Sequence, residues 1–166
     1  LTAYGMSTFE GPMLSLKNVN AIAHFTDWIV AHVHIGALGW NGLLTFAILY
    51  YIVPRIYNTT IYNKKLVGTH FWIATLGILF YAIPMYFSGF TQGLMWKQFT
   101  ADGLLQYPNF LETTLQILPM HMLRAFGGLL YLSGAILMVW NLTKTIKSGS
   151  LVAEEAAEAY PLVPED

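Results

Sequence analysis

The sequence predicts an all-α fold: a polytopic transmembrane helix bundle with three full spans and the end of a fourth. Three observations predict it. Charge is scarce, with 55% of the 166 residues hydrophobic, 10% charged and a mean hydropathy of +0.51, where a soluble domain is about a quarter charged. The few charges leave Trp28–Pro54, Leu66–Trp96 and Ala125–Thr143 free of Asp, Glu, Lys and Arg. Each stretch meets the roughly 20 apolar residues that a helix rising about 1.5 Å per residue needs to cross a bilayer. Trp28, Tyr50, Tyr51, Tyr57, Trp96 and Trp140 stand near the ends of these stretches, as interfacial aromatics do. Three buried helices of a soluble protein are the competing reading, and they would leave this chain too little polar surface.

The elements follow in order. Residues 1–10 (LTAYGMSTFE) are mildly apolar and too short to span, and read as the end of a truncated preceding helix, stopped by Gly11-Pro12 because proline cannot continue the hydrogen-bond ladder. A first residue that is Leu1 rather than Met agrees with a piece of a longer chain. The spans are placed at 28–53, 67–90 and 119–142, the second kinked at Pro84. Residues 97–118 read as a connection with Asp102-Gly103 and Pro108 as turn signals. The acidic, proline-ended segment 144–166 reads as a solvated tail.

Charge and composition narrow the function. Eight basic against nine acidic residues give a net charge of -1, which lacks the basic footprint of a nucleic-acid binder, so no nucleic-acid partner is expected. Zero cysteines exclude disulfides, thiolate metal sites and covalent c-type haem attachment. Arg55, Lys64, Lys65, Lys144 and Lys147 share one side of a three-span topology, whereas Lys17, Lys97 and Arg124 on the other are offset by Glu10, Asp102 and Glu112. The positive-inside rule then makes the C-terminus cytoplasmic.

The informative residues are His32 and His34, in DWIVAHVHIGALGWNG. Both lie within a span, where a polar group needs a partner. At about 100° per residue, positions i and i+2 point about 200° apart, so the pair cannot chelate one metal ion. It can hold two cofactors on opposite flanks of one helix, and haem suits this because imidazole is a common axial ligand. The alternative, that both rings bond only to neighbouring helices, weighs about equally on the residues alone. Gly36, Gly39 and Gly42, with Gly127-Gly128 in the last span, are read first as close-packing positions and second as room for a flat macrocycle. Glu10, His24, Asp27, His121 and Arg124 fall on the histidine side. Arg124 either snorkels to the interface or pairs with an anionic group. Glu10 either ends a helix or orients a ligand imidazole. His70, at the opposite end of its span, is read as structural.

The runs YGMSTFEGP, HFTDWIVAHVHIGALGWNG, HFWIATLGILFYAIPMYFSGFTQGLMW and LRAFGGLLYLSGAILMVWN together resemble catalytic subunit I of cbb-type cytochrome c oxidases, in the haem–copper oxidase superfamily. The resemblance covers about residues 3–143. It implies a fragment of the twelve-helix subunit I fold, holding its final three helices, in a bacterial inner membrane. It implies His32 as axial ligand of a high-spin haem b, the site of oxygen reduction, and His34 as axial ligand of a low-spin haem b. It implies Glu10 as the hydrogen-bond partner of the ligand histidine, with His24, Asp27 and, more loosely, Arg124 near the haem propionates.

The resemblance also implies what this chain does not carry. The copper ligands, the cross-linked tyrosine and the second low-spin haem ligand belong to earlier helices. His24, His70 and His121 lack the copper-site spacing, so copper belongs to the complete subunit and has no ligand here. The implied activity is oxidation of cytochrome c and reduction of oxygen to water with proton pumping. The implied partners are the remaining helices of subunit I, c-type cytochrome subunits, cytochrome c and oxygen. The competing functions are a nitric oxide reductase large subunit, a non-catalytic di-haem electron carrier and a structural membrane subunit without cofactor.

Overall fold

The computed structural model describes residues 1–151, and the end of the expected tail, residues 152–166, lies outside them. The described residues form five helices: α1 (Thr2–Ser15), α2 (Lys17–Ala23), α3 (Asp27–Ile56), α4 (Lys64–Met95) and α5 (Phe110–Lys147). The last three are long and apolar enough to cross a membrane, so the all-α fold with three spans is as the charge-free stretches predict. Among the described residues the only sheet-like feature is an isolated bridge between Phe99 and Leu105. It closes over the Asp102-Gly103 turn, where Gly103 adopts φ +79°, a conformation that costs glycine nothing.

The helices run further than the apolar stretches. α1 passes through Gly11-Pro12 to Ser15, against the stop expected there. Proline removes one donor from the ladder, but its φ is already helical, so a helix with packed neighbours can continue through it. α4 likewise continues through Pro84. The second half of the expected connection is helical, since α5 starts at Phe110, where the Asn109 side chain accepts the Leu111 N–H at 3.1 Å and caps it. A cap fixes a helix start irrespective of where the apolar residues begin, which explains the difference from 119.

α3 is regular only as far as His34. Residues Ile35–Gly42 are π-helical, and regular α-helix resumes at Leu43. The glycines in this wide segment serve packing. A Cβ on Gly36 would lie 3.0 Å from Ser7 Oγ and one on Gly39 3.0 Å from Ala3 Cβ, so α1 lies directly against the π-helical turns. A Cβ on Gly42 would meet the Tyr131 hydroxyl of α5. These positions are filled by protein, which favours the packing reading over space for a macrocycle.

Among the described residues, α4 and α5 share the most extensive contact. Their backbones touch where a Cβ on Gly77 would lie 2.7 Å from Tyr131 N and one on Gly127 2.6 Å from Tyr81 N. α3 approaches α4 the same way, with Trp28 pressed on Gly89. At the opposite end the 57–63 loop is tied to α5. Asn141, fully buried, accepts the Asn63 N–H at 3.1 Å and donates to the Asn63 carbonyl at 3.0 Å. The Tyr62 N–H donates to Thr145 Oγ1 at 3.1 Å. His70 is 2% exposed, with Tyr50 at its Nδ1 (3.2 Å) and Phe46 beside its ring, in keeping with a structural role.

Candidate functional site

The site is built where α1, the start of α3 and the second half of α4 meet. The chain turns into α3 at Phe25, a non-glycine residue at φ +64°. Thr26 then caps the helix by accepting the Trp28 N–H at 3.2 Å. This start sets which flank each histidine faces.

His32 faces α1. Its Nδ1 lies 3.1 Å from Glu10 Oε2, and the Glu10 carboxyl is buried. Two further donors converge on that carboxyl: the Trp28 indole N–H on Oε1 at 2.5 Å and the Tyr86 hydroxyl on Oε2 at 2.6 Å. A buried carboxyl is costly unless hydrogen-bonded, and here both oxygens are engaged. Trp28 is therefore no interfacial aromatic. It is a buried residue whose indole needs an acceptor away from water.

His34 faces α4. Its Nδ1 lies 2.8 Å from the Val30 carbonyl, one turn earlier on its own helix, and its ring stacks on Tyr81 at 4.6 Å with planes 27° apart. The two histidines thus occupy opposite flanks of α3, as the i, i+2 geometry requires. Both carry the bonded proton on Nδ1, because a carbonyl cannot donate and a carboxylate accepts. That tautomer leaves Nε2 of each ring with its lone pair, the arrangement a metal-ligating histidine adopts. Among the described residues no three His, Asp or Glu side chains gather as they would around a bare metal ion. Each imidazole keeps one ring nitrogen free to act as a donor.

The remaining residues of the histidine side divide. Asp27 Oδ2 accepts from Ser88 Oγ and lies 2.8 Å from His121 Nε2, while the Asp27 N–H donates to Gln92 Oε1 at 2.7 Å. Arg124 sits on the His34 flank, its guanidinium 5.8 Å from the Tyr81 ring centre and Nη1 3.6 Å from Met85 Sδ. His24 stands apart, exposed, with its ring 3.9 Å from that of its neighbour Phe25. Sequence reasoning gave no role to Tyr81, Tyr86, Ser88 or Gln92. Their placement on one half of a long, apolar α4 is the signal that was there, since a polar side chain inside a span needs a partner.

Comparison with known proteins decides the family. The model of the family "Cytochrome C and Quinol oxidase polypeptide I" matches residues 1–130. The chain belongs to this family. It is 47% identical over 160 residues to the cytochrome c oxidase subunit 1 of Rhodobacter capsulatus, covering 93% of this chain and 30% of that protein. It is 49% identical over 144 residues to a cytochrome c oxidase subunit 1 homolog of Agrobacterium tumefaciens, covering 86% and 26%. It is 40% identical over 158 residues to the cbb3-type cytochrome c oxidase subunit CcoN1 of Stutzerimonas stutzeri, covering 95% and 33%. The chain spans about a quarter to a third of the length of these relatives. The sequence motifs and the helical architecture thus agree on a membrane-helix portion of an oxidase subunit I.

Proposed function

We propose that this chain is the part of a cbb-type terminal oxidase subunit that supplies one axial histidine to each of two b-type haems. The observation that carries the reading is the paired contact at Nδ1, of His32 with Glu10 and of His34 with the Val30 carbonyl, which leaves both Nε2 atoms available on opposite flanks. His32 would hold the high-spin haem and His34 the low-spin haem. When bound, the haems supply electron transfer and, with copper on other helices, reduction of oxygen.

The chain's own residues do the positioning. Glu10 fixes the His32 ring and raises its basicity as a ligand. Tyr81 limits rotation of the His34 ring by stacking on it. Arg124 lies where its fork of donors can reach an anionic propionate on the His34 flank, and His24 and Asp27 lie at the mouth of α3 on the same side of the membrane. The whole subunit, joined by its preceding helices and c-type cytochrome subunits, would oxidise cytochrome c, reduce oxygen to water and pump protons. Its setting is a bacterial inner membrane with the C-terminus in the cytoplasm.

The test is the spectrum of the complete oxidase. His34→Ala removes the low-spin b-haem bands and His32→Ala the high-spin, ligand-binding haem. The same selective loss of one haem in both variants would refute the division.

A further inference from the structure

We infer that Tyr86 sets how strongly Glu10 grips His32, by competing with the imidazole for one carboxylate oxygen. The inference rests on the reading of His32 as a haem ligand and adds to it a positioning residue on the next helix, α4. Glu10 Oε2 takes both the Tyr86 hydroxyl, at 2.6 Å, and His32 Nδ1, at 3.1 Å, whereas Trp28 is alone on Oε1 at 2.5 Å.

The distances rank the donors. A charge-assisted O–H···O⁻ bond spans about 2.5–2.7 Å and the N–H···O bond of a neutral imidazole about 2.7–3.2 Å. Tyr86 sits in the middle of its range and the imidazole at the long end of its own, so the hydroxyl draws the larger share of electron density from Oε2. A carboxylate oxygen has lone pairs for two donors, but each donor withdraws density and weakens the pull on the other. The Nδ1–H of His32 is therefore less polarised toward Glu10 than a lone carboxylate partner would make it. The ring keeps less imidazolate character and is a weaker donor to iron at Nε2.

The geometry gives the competition no easy escape. Trp28 anchors Oε1, so the carboxyl cannot rotate to hand Oε2 to one partner. Tyr86 itself packs against the cluster of Leu14, Ala23 and Trp28, which fixes its ring. Tyr86→Phe keeps that ring and its packing, removes only the hydroxyl, and leaves Oε2 paired with His32. No buried group is stranded, so the variant should fold.

The sign is what separates this role from a structural one. Freed of the hydroxyl, Oε2 pulls harder on the imidazole proton, and the iron–histidine bond stiffens. Resonance Raman of the ferrous complete oxidase should show the iron–histidine stretch moved up in Tyr86→Phe. It should move down in Glu10→Gln, a weaker acceptor, and change less in Trp28→Phe, which acts on the other oxygen. A redox titration should place the midpoint of the His32 haem lower in Tyr86→Phe, because a stronger donor favours ferric iron. An unchanged or lowered stretch in Tyr86→Phe, with Glu10→Gln shifted, overturns the competition while leaving His32 as ligand. A stretch that persists unaltered in His32→Ala overturns the ligand assignment and this inference with it.

Discussion

Gly127→Ala tests whether the α4–α5 crossing holds the His34 flank in place. The added Cβ would lie 2.6 Å from Tyr81 N, 2.7 Å from Gly77 O and 2.7 Å from Phe80 C. Ordinary van der Waals contact begins at 3.4 Å, so the shortfall against Tyr81 is 3.4 − 2.6 = 0.8 Å. All three obstacles are backbone or directly bonded to it, and none can swing aside as a side-chain end could. The helices must part, and such overpacking costs about 1–3 kcal/mol. Gly128→Ala is the matched control, because among the described residues a Cβ there meets nothing within 4 Å. It should be neutral, or stabilising by up to about 1 kcal/mol from improved helix propensity. Thermal denaturation of the detergent-purified complete oxidase should show a lowered midpoint for Gly127→Ala and not for Gly128→Ala. Because the displaced Tyr81 stacks on His34, the proposed role of His34 as a low-spin haem ligand predicts that those haem bands also shift in Gly127→Ala. Equal behaviour of the two variants would refute the reasoning, since it would mean that the crossing is not in contact at Gly127.

Asn141→Leu should strand both backbone groups of Asn63, costing about 1–3 kcal/mol for each that water does not reach. Hydrogen exchange of residues 57–63 should accelerate, and unchanged exchange would show that the loop is held otherwise. A reporter fused after Lys147 should be active only in the cytoplasm, because the start of α4 bearing Lys64 and Lys65 and the end of α5 bearing Lys144 and Lys147 lie at one end of the bundle. A periplasmic signal there would reverse the orientation.

Several features were legible without coordinates. Charge-free stretches marked the three spans, because a bilayer imposes length and apolarity on whatever crosses it. The H-x-H spacing settled that the two histidines face opposite flanks, because helical pitch is the same in every sequence. The motifs around them pointed to the family, which the comparisons show. Helix ends were less legible. Pro12 and Pro119 lie inside helices, since local propensity yields to packing and capping. The π-helical run after His34 was likewise unsigned, because its glycines are equally at home in a regular helix.

What the sequence by itself determined is the set of constraints that act locally: span length, charge asymmetry and the angle between neighbouring side chains. Only the tertiary structure decided who meets whom. Glu10 meets His32, Trp28 and Tyr86. Asp27 meets His121 across 94 residues. Gly127 carries a helix crossing, while a Cβ on Gly128 beside it would meet nothing within 4 Å among the described residues. The physical reason is that hydrogen bonds and contacts act over a few ångströms of space, and their partners lie on different helices. Chain order fixes each donor and acceptor, but only helix packing brings them within reach.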